Sequence, residues 1–201
     1  MTGAIGSALR AGRHWRSILK IALLTASVSA TASSAPLEGE ELRFGGIGDA
    51  YVGDSVDDVA AKLGVTMAPP RVLGTDCFST SDVSGNLTLI HSSWSRVHLF
   101  ILDSPDVSFH QLASDPVRVG SSRDEVEQSF DGQDEVALHS SSGREGNLTV
   151  APSRLNNARR SANVSAVFRF DASGHVRSVR LGDSRHVDAL NGCRDSEAGP
   201  R

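Results

Sequence analysis

The chain has little aromatic content, no cysteine before position 77 and no apolar run long enough to cross a bilayer. One Tyr, two Trp and seven Phe make 5% of 201 residues, so a core built on large rings is not expected. Apolar content of 39% still allows a packed interior, made of Val, Leu and Ala, and the length suits one domain or two small halves sharing a core. The missing early cysteine removes the acceptor that a bacterial lipid anchor needs. The longest apolar stretch, "IALLTASVSA" at 21–30, is half of the roughly 20 residues a spanning helix requires, so no membrane span is expected.

That stretch has another reading. Arg10, Arg13, Arg16 and Lys20 precede it, and the small residues Ala30-Thr31-Ala32 follow it, which is the order of a secretory signal cleaved after Ala32. Residues 1–32 are therefore read as a signal peptide and 33–41 as a flexible mature N-terminus. Cleavage leaves 16 basic against 24 acidic residues, a mature charge of −8 that disfavours nucleic acid and anionic head groups as partners. Lys62 is then the only lysine left; this arginine bias is that of a GC-rich bacterial genome, and the sequons at Asn86, Asn147 and Asn163 are accordingly expected to be bare.

What the chain does have is self-similarity. "VGDSVDDVAAKLG" at 52–64 returns 67 residues later as "VGSSRDEVEQSFDG" at 119–132, aligning Gly53 with Gly120, Ser55 with Ser122, Asp58 with Glu125, Val59 with Val126 and Leu63 with Phe130. An "Asn-Leu-Thr" follows each copy, at 86–88 and 147–149. Alternating segments come next: "LTLI" and "RVHLFIL" in the first half, "SAVFRF" and "HVRSVRL" joined by the turn "DASG" in the second. Val56, Val59, Ala60 and Leu63 fall at helical spacing, and Gly64 and Gly132 lie beyond the two helix ends. The expected fold is α+β: two helix-plus-antiparallel-meander repeats, 42–112 and 113–193, sharing a core. The loop 151–163 and the tail 194–201 read as disordered.

Gly53-Asp54-Ser55 admits two chemistries. A helix leaves its first N–H groups unpaired, and a Ser with an acidic residue three positions on satisfies two of them. Ser55 with Asp58, and Ser122 with Glu125, have that spacing, and the second copy keeps the Gly and Ser but not the Asp. Both serines are therefore read as helix caps. The competing reading is catalytic. Gly53-Asp54-Ser55 resembles the nucleophile block of GDSL-type esterases, and "DSRH" at 183–186 resembles their C-terminal Asp-x-x-His. The resemblance implies Ser55 as nucleophile, His186 as base and Asp183 as its orienting carboxylate. The family's intermediate Gly-x-Asn-Asp block is absent from this chain.

Other clusters carry structural readings. His91, His98 and His110 are taken as exposed structural histidines rather than metal ligands, and Asp54, Asp57 and Asp58 as a capped helix start rather than a calcium loop. Arg154, Arg159 and Arg160 form a small basic patch in a solvated loop. No cofactor or metal is expected. Cys77 and Cys193, an even pair in an exported chain, are expected to form a disulfide.

Two copies of Gly-x-Ser-x-x-(Asp/Glu)-Val ahead of a meander, a Cys after the first helix and "NGC" at 191–193 together resemble a group of uncharacterised exported bacterial proteins. More distantly they resemble the tandem repeats of β-lactamase-inhibitor-like proteins and of small outer-membrane-assembly lipoproteins. The resemblance implies a periplasmic or extracellular, non-catalytic protein that binds a protein or cell-envelope partner.

Overall fold

A computed structural model describes residues 37, 39–110, 113–133, 136–140, 146–152, 163–189 and 192–193. Residues 1–32, expected to be a signal peptide, residues 33–36, the tail 194–201 and positions 153–162 of the expected loop 151–163 lie outside these residues, while Ala151 and Pro152 of that loop instead end a strand. Structure is already present ahead of position 42, with Leu37 buried and Glu41 opening a strand.

Three short strands, β1 (Glu41–Arg43), β2 (Gly46–Ile47) and β3 (Ala50–Tyr51), lead into helix α1 (Val56–Leu63). Four strands follow: β4 (Arg71–Gly74), β5 (Cys77–Ser81), β6 (Leu87–His91) and β7 (Val97–Leu102). Then come β8 (Ser108–Phe109), β9 (Val117–Arg118) and helix α2 (Arg123–Phe130). Another four strands, β10 (Val136–Ser140), β11 (Asn147–Pro152), β12 (Val164–Phe170) and β13 (Val176–Asp183), precede the single turn of α3 (Ser184–Val187). The architecture is mixed α+β, mostly strand.

The strands make two sheets. The smaller has the order β3-β2-β1-β8-β9, with β1 parallel to β8 through Glu41↔Ser108 and Leu42↔Phe109. The larger has eight strands in the order β10-β11-β12-β13-β7-β6-β5-β4, every pairing antiparallel. Its centre is the β7–β13 pair, with Leu99 opposite Gly182 and Leu102 opposite Val179. At this junction a Cβ on Gly182 would lie 2.8 Å from the Leu99 Cα and closer still to the His98 carbonyl oxygen, so only glycine lets the two strands approach. The shared Asn-Leu-Thr does not mark equivalent places: Asn86–Thr88 leads into the third strand after α1, while Asn147–Thr149 opens the second strand after α2. Local alternation favours a strand without saying which one.

Both long helices lie on one face of the large sheet. Val59 and Leu63 of α1, with Val126 and Phe130 of α2, join Leu89, Phe100, Phe168 and Leu181 in one apolar cluster. The core is more aromatic than the composition suggested. Phe109 lies 5.2 Å from Phe44, 5.8 Å from Phe130 and 5.9 Å from Phe168 between ring centroids, with edge-on and tilted geometries. Few rings are present, but they are concentrated where both sheets and α2 meet, each adding about 0.5–1.5 kcal/mol per pair beyond its buried area.

Cys77 and Cys193 form a disulfide with Cα atoms 5.9 Å apart across 116 residues. In the chain-entropy view a closure of that length contributes up to roughly 4–5 kcal/mol. Both cysteines are buried, in a second small cluster with Ile90, Leu99, Val167 and Val187 on the opposite face of the large sheet.

Candidate functional site

The two Gly-x-Ser turns are built alike. Gly53 and Gly120 take φ of 94° and 95°, a left-handed turn that frees the next residues to start a helix. Ser55 Oγ accepts the Asp58 N–H at 3.1 Å, and Ser122 Oγ accepts the Glu125 N–H at 3.2 Å. The reciprocal half of the box forms only in α2, where the Ser122 N–H donates to Glu125 Oε2 at 2.6 Å. That backbone bond holds the Glu125 carboxyl below its ordinary range. In α1 the Asp58 carboxylate, one methylene shorter than Glu, accepts a hydrogen bond from the Ser55 hydroxyl at 2.7 Å, as Glu125 does from Ser122 at 3.0 Å, without the backbone bond. Asp54 pairs with Lys62 at 2.7 Å.

Ser55 makes its hydrogen bonds within the α1 cap, whereas Asp183 and His186 are neighbours at α3. Asp183 caps α3 by accepting the Arg185 N–H at 3.0 Å, and pairs with that guanidinium at 2.5 Å, which depresses its pKa. His186 Nδ1 bonds the Gly192 carbonyl at 3.0 Å, and its ring stacks on His98 at 4.9 Å between centroids and 9° between planes. Among the described residues no hydrogen bond links any two of the three.

Of the three histidines expected to be exposed, His110 is exposed, while His91 and His98 are not. His91 is buried, with its Nε2 2.9 Å from Thr80 Oγ1, its Nδ1 2.9 Å from the Ser92 carbonyl and its ring stacked on Phe78. Adjacent alternation in β5 and β6 hid this, because the inward residue at the β6 end is set by a register shift against β7. His98 is half-buried, and burial first, then His186, lowers its pKa. His110 bonds Ser108 at 2.7 Å. Among the described residues no three His, Cys, Asp or Glu side chains are grouped to hold a metal ion. Arg154, Arg159 and Arg160 lie outside the described residues.

The sheet surface away from α1 and α2 remains. Among the described residues it is covered only at its centre, by α3 and the Cys193 end, which sit on Leu99, Ile90 and Val167. Arg180 holds this strap from below, donating from Nη1 to the carbonyls of Val187 at 3.2 Å and Ala189 at 2.5 Å. Burial and the neighbouring Arg169 pull the Arg180 pKa down, while burial raises that of Asp103. To either side the same face carries half-buried polar residues, Ser79, Ser81 and Thr88 on one flank and Thr149 and Arg169 on the other. A polar groove of about 540 Å³ opens elsewhere, beside α2, between Pro105, Arg118 and Gln128. Neither surface was legible in the sequence, since each is assembled from strands distant in the chain and α3 is too short to give a periodic signal. No helix among the described residues is long and apolar enough to cross a membrane. No family model, curated protein or solved structure matches this chain.

Proposed function

We propose that the chain is an exported, non-catalytic binding protein made of two copies of one unit, a capped helix followed by a four-stranded meander, joined edge to edge at β7 and β13. One observation carries this reading: the same capped turn makes the same bonds twice. Gly53 N–H donates to Val97 O at 2.8 Å, Val97 N–H to Asp54 O at 2.9 Å and Val56 N–H to Ser95 O at 3.0 Å. In the second half Gly120 donates to Val176 O at 2.8 Å, Val176 to Ser121 O at 2.8 Å and Arg123 to Gly174 O at 2.9 Å. A serine that serves one structural task in both places is a cap, and a nucleophile would have no reason to be duplicated. The likeness to β-lactamase-inhibitor-like proteins and outer-membrane-assembly lipoproteins belongs to the same proposal, as does an oxidising periplasmic or extracellular compartment, which the disulfide supports. The uncovered flanks of the large sheet and its edge strands β4 and β10 are the surfaces offered to a protein or envelope partner.

The mature protein is expected to leave short p-nitrophenyl esters unhydrolysed. When immobilised, it is expected to retain a protein from periplasmic extract or culture supernatant. Ester hydrolysis that disappears in Ser55→Ala while the fold persists would overturn the proposal in favour of a GDSL-like esterase.

A further inference from the structure

If the halves are copies, each is a control for the other, and they differ at the turns that face the two helix caps. The turn before β13 carries Ser173, Gly174 and His175, with Gly174 at φ of 85°. The turn before β7 carries Trp94, Ser95 and Arg96, with Ser95 at φ of 57°, the one non-glycine residue with a left-handed backbone among those described. Trp94 is 83% exposed, although Trp is among the most buried residue types on average. It is also the only tryptophan after Trp15.

The Trp94 tip is held, not floppy. Ser95 N–H closes the turn on Ser92 O at 2.9 Å, Ser92 N–H bonds Arg96 O at 3.0 Å, and the Arg96 guanidinium bonds Gly53 O at 2.9 Å. Ser93 N–H is anchored to Asp76 Oδ1 at 2.7 Å, and Asp76 directly precedes the disulfide-bonded Cys77. A large ring on a pre-ordered turn loses little entropy on docking, which is the property of an interface anchor. The shape of the site selects the partner. Small ligands occupy concavities, whereas Trp94 projects from a tip and needs a concavity on the other side. Its charged neighbours are Asp76 at the base of the turn, the exposed Asp57 of α1, next to the Val56 that bonds Ser95, and Arg96, whose guanidinium is turned onto the Gly53 carbonyl and so leaves the two carboxylates to set the charge the turn offers. We infer that Trp94 is the anchor by which the first half docks into an apolar pocket with a cationic rim on a protein partner, with Asp57 and Asp76 meeting that rim.

This rests on the binding reading above and locates it. The test places the photo-crosslinking residue p-benzoylphenylalanine at 94, or at the equivalent 173, in the full chain in the producing bacterium. The protein captured is then purified and titrated against variants. Expected are an adduct from position 94 and none from 173, roughly tenfold or more weaker binding by Trp94→Ala, and a several-fold loss with a flatter salt dependence for Asp57→Asn with Asp76→Asn. Ser173→Trp combined with Trp94→Ala is expected to restore nothing. Equal adducts from both positions, no adduct from 94, an adduct that proves to be glycan, or undiminished binding by Trp94→Ala would overturn the inference. A partner retained equally by wild type and Trp94→Ala removes this site and leaves the binding reading standing; retention of no partner at all removes both.

Discussion

Helix α1 and helix α2 pack into the same apolar cluster on one face of the large sheet but are held there by different means. Helix α1 ends in a left-handed Gly64 whose N–H bonds the Ala60 carbonyl, and its buried anchors are the aliphatic Val59 and Leu63. Helix α2 ends on an extended Asp131, has the fuller N-terminal capping box, and buries Phe130 within the ring cluster of Phe109 and Phe168. One helix depends on its C-terminal cap and aliphatic packing, the other on its N-terminal cap and an aromatic contact. The shared Gly-x-Ser turn and its hydrogen bonds therefore accompany quite different helix interiors.

The comparison breaks hardest at the aromatic anchor. Phe130→Ala is expected to cost about 3–5 kcal/mol, more than Leu63→Ala, because each residue closes its helix but Phe130 is the larger side chain and the more deeply buried. Urea unfolding of the two variants checks it, and equal costs would mean that α2 gains nothing special from the ring cluster.

Next is the bond that ties the end of the second half to the first. Reducing the protein, or making Cys77→Ser with Cys193→Ser, should lower stability by about 2–4 kcal/mol, less than the full chain-entropy figure, and drop Tm by several degrees in calorimetry. An unchanged Tm would show that the strap over the large sheet is held by packing and Arg180 alone.

Smaller effects separate the caps. Ser55→Ala and Ser122→Ala should each cost on the order of 1 kcal/mol and about equally, since each removes a hydroxyl that accepts one helix N–H, while the extra bond of the α2 box comes from the Ser122 backbone and survives the substitution. The Glu125 bond adds a pH signature: its folded pKa is depressed, so its contribution is complete above the unfolded value near 4.3 and fades as pH falls through the folded one. Thermal melts between pH 6 and 3, run on wild type and on Glu125→Gln, should converge at the acidic end.

The smallest expected effect sharpens the comparison of turns. Gly174→Ser should cost about 1 kcal/mol, since the open space around Gly174 leaves only the backbone penalty. Ser95→Gly should gain a few tenths of a kcal/mol, the relief of φ being partly offset by the entropy of glycine. If Ser95→Gly instead destabilises, the serine side chain holds the turn in a way its backbone bonds do not reveal.

Local patterns in the chain carried what depends on neighbours in sequence. The stripe Val59 and Leu63, with Val56 and Ala60 packed beside it, the caps at Ser55 and Ser122, the stop at Gly64 and the strands β6, β7, β12 and β13 all follow from spacings of two to four residues. Strands of two or three residues, such as β2, β3, β8 and β9, have no such signal, because they exist only through one another's hydrogen bonds. The polar β5, "CFSTS", lacks clean alternation as well. The even cysteine count was enough to pair Cys77 with Cys193, but not to show that α3 would be pinned across the sheet between them. What joins the halves, the contact of Leu99 with Gly182 and of Phe109 with Phe130 and Phe168, was decided only in three dimensions. Pairing and ring contacts between distant residues leave no periodicity to read, since their free energy appears only once the intervening chain has folded.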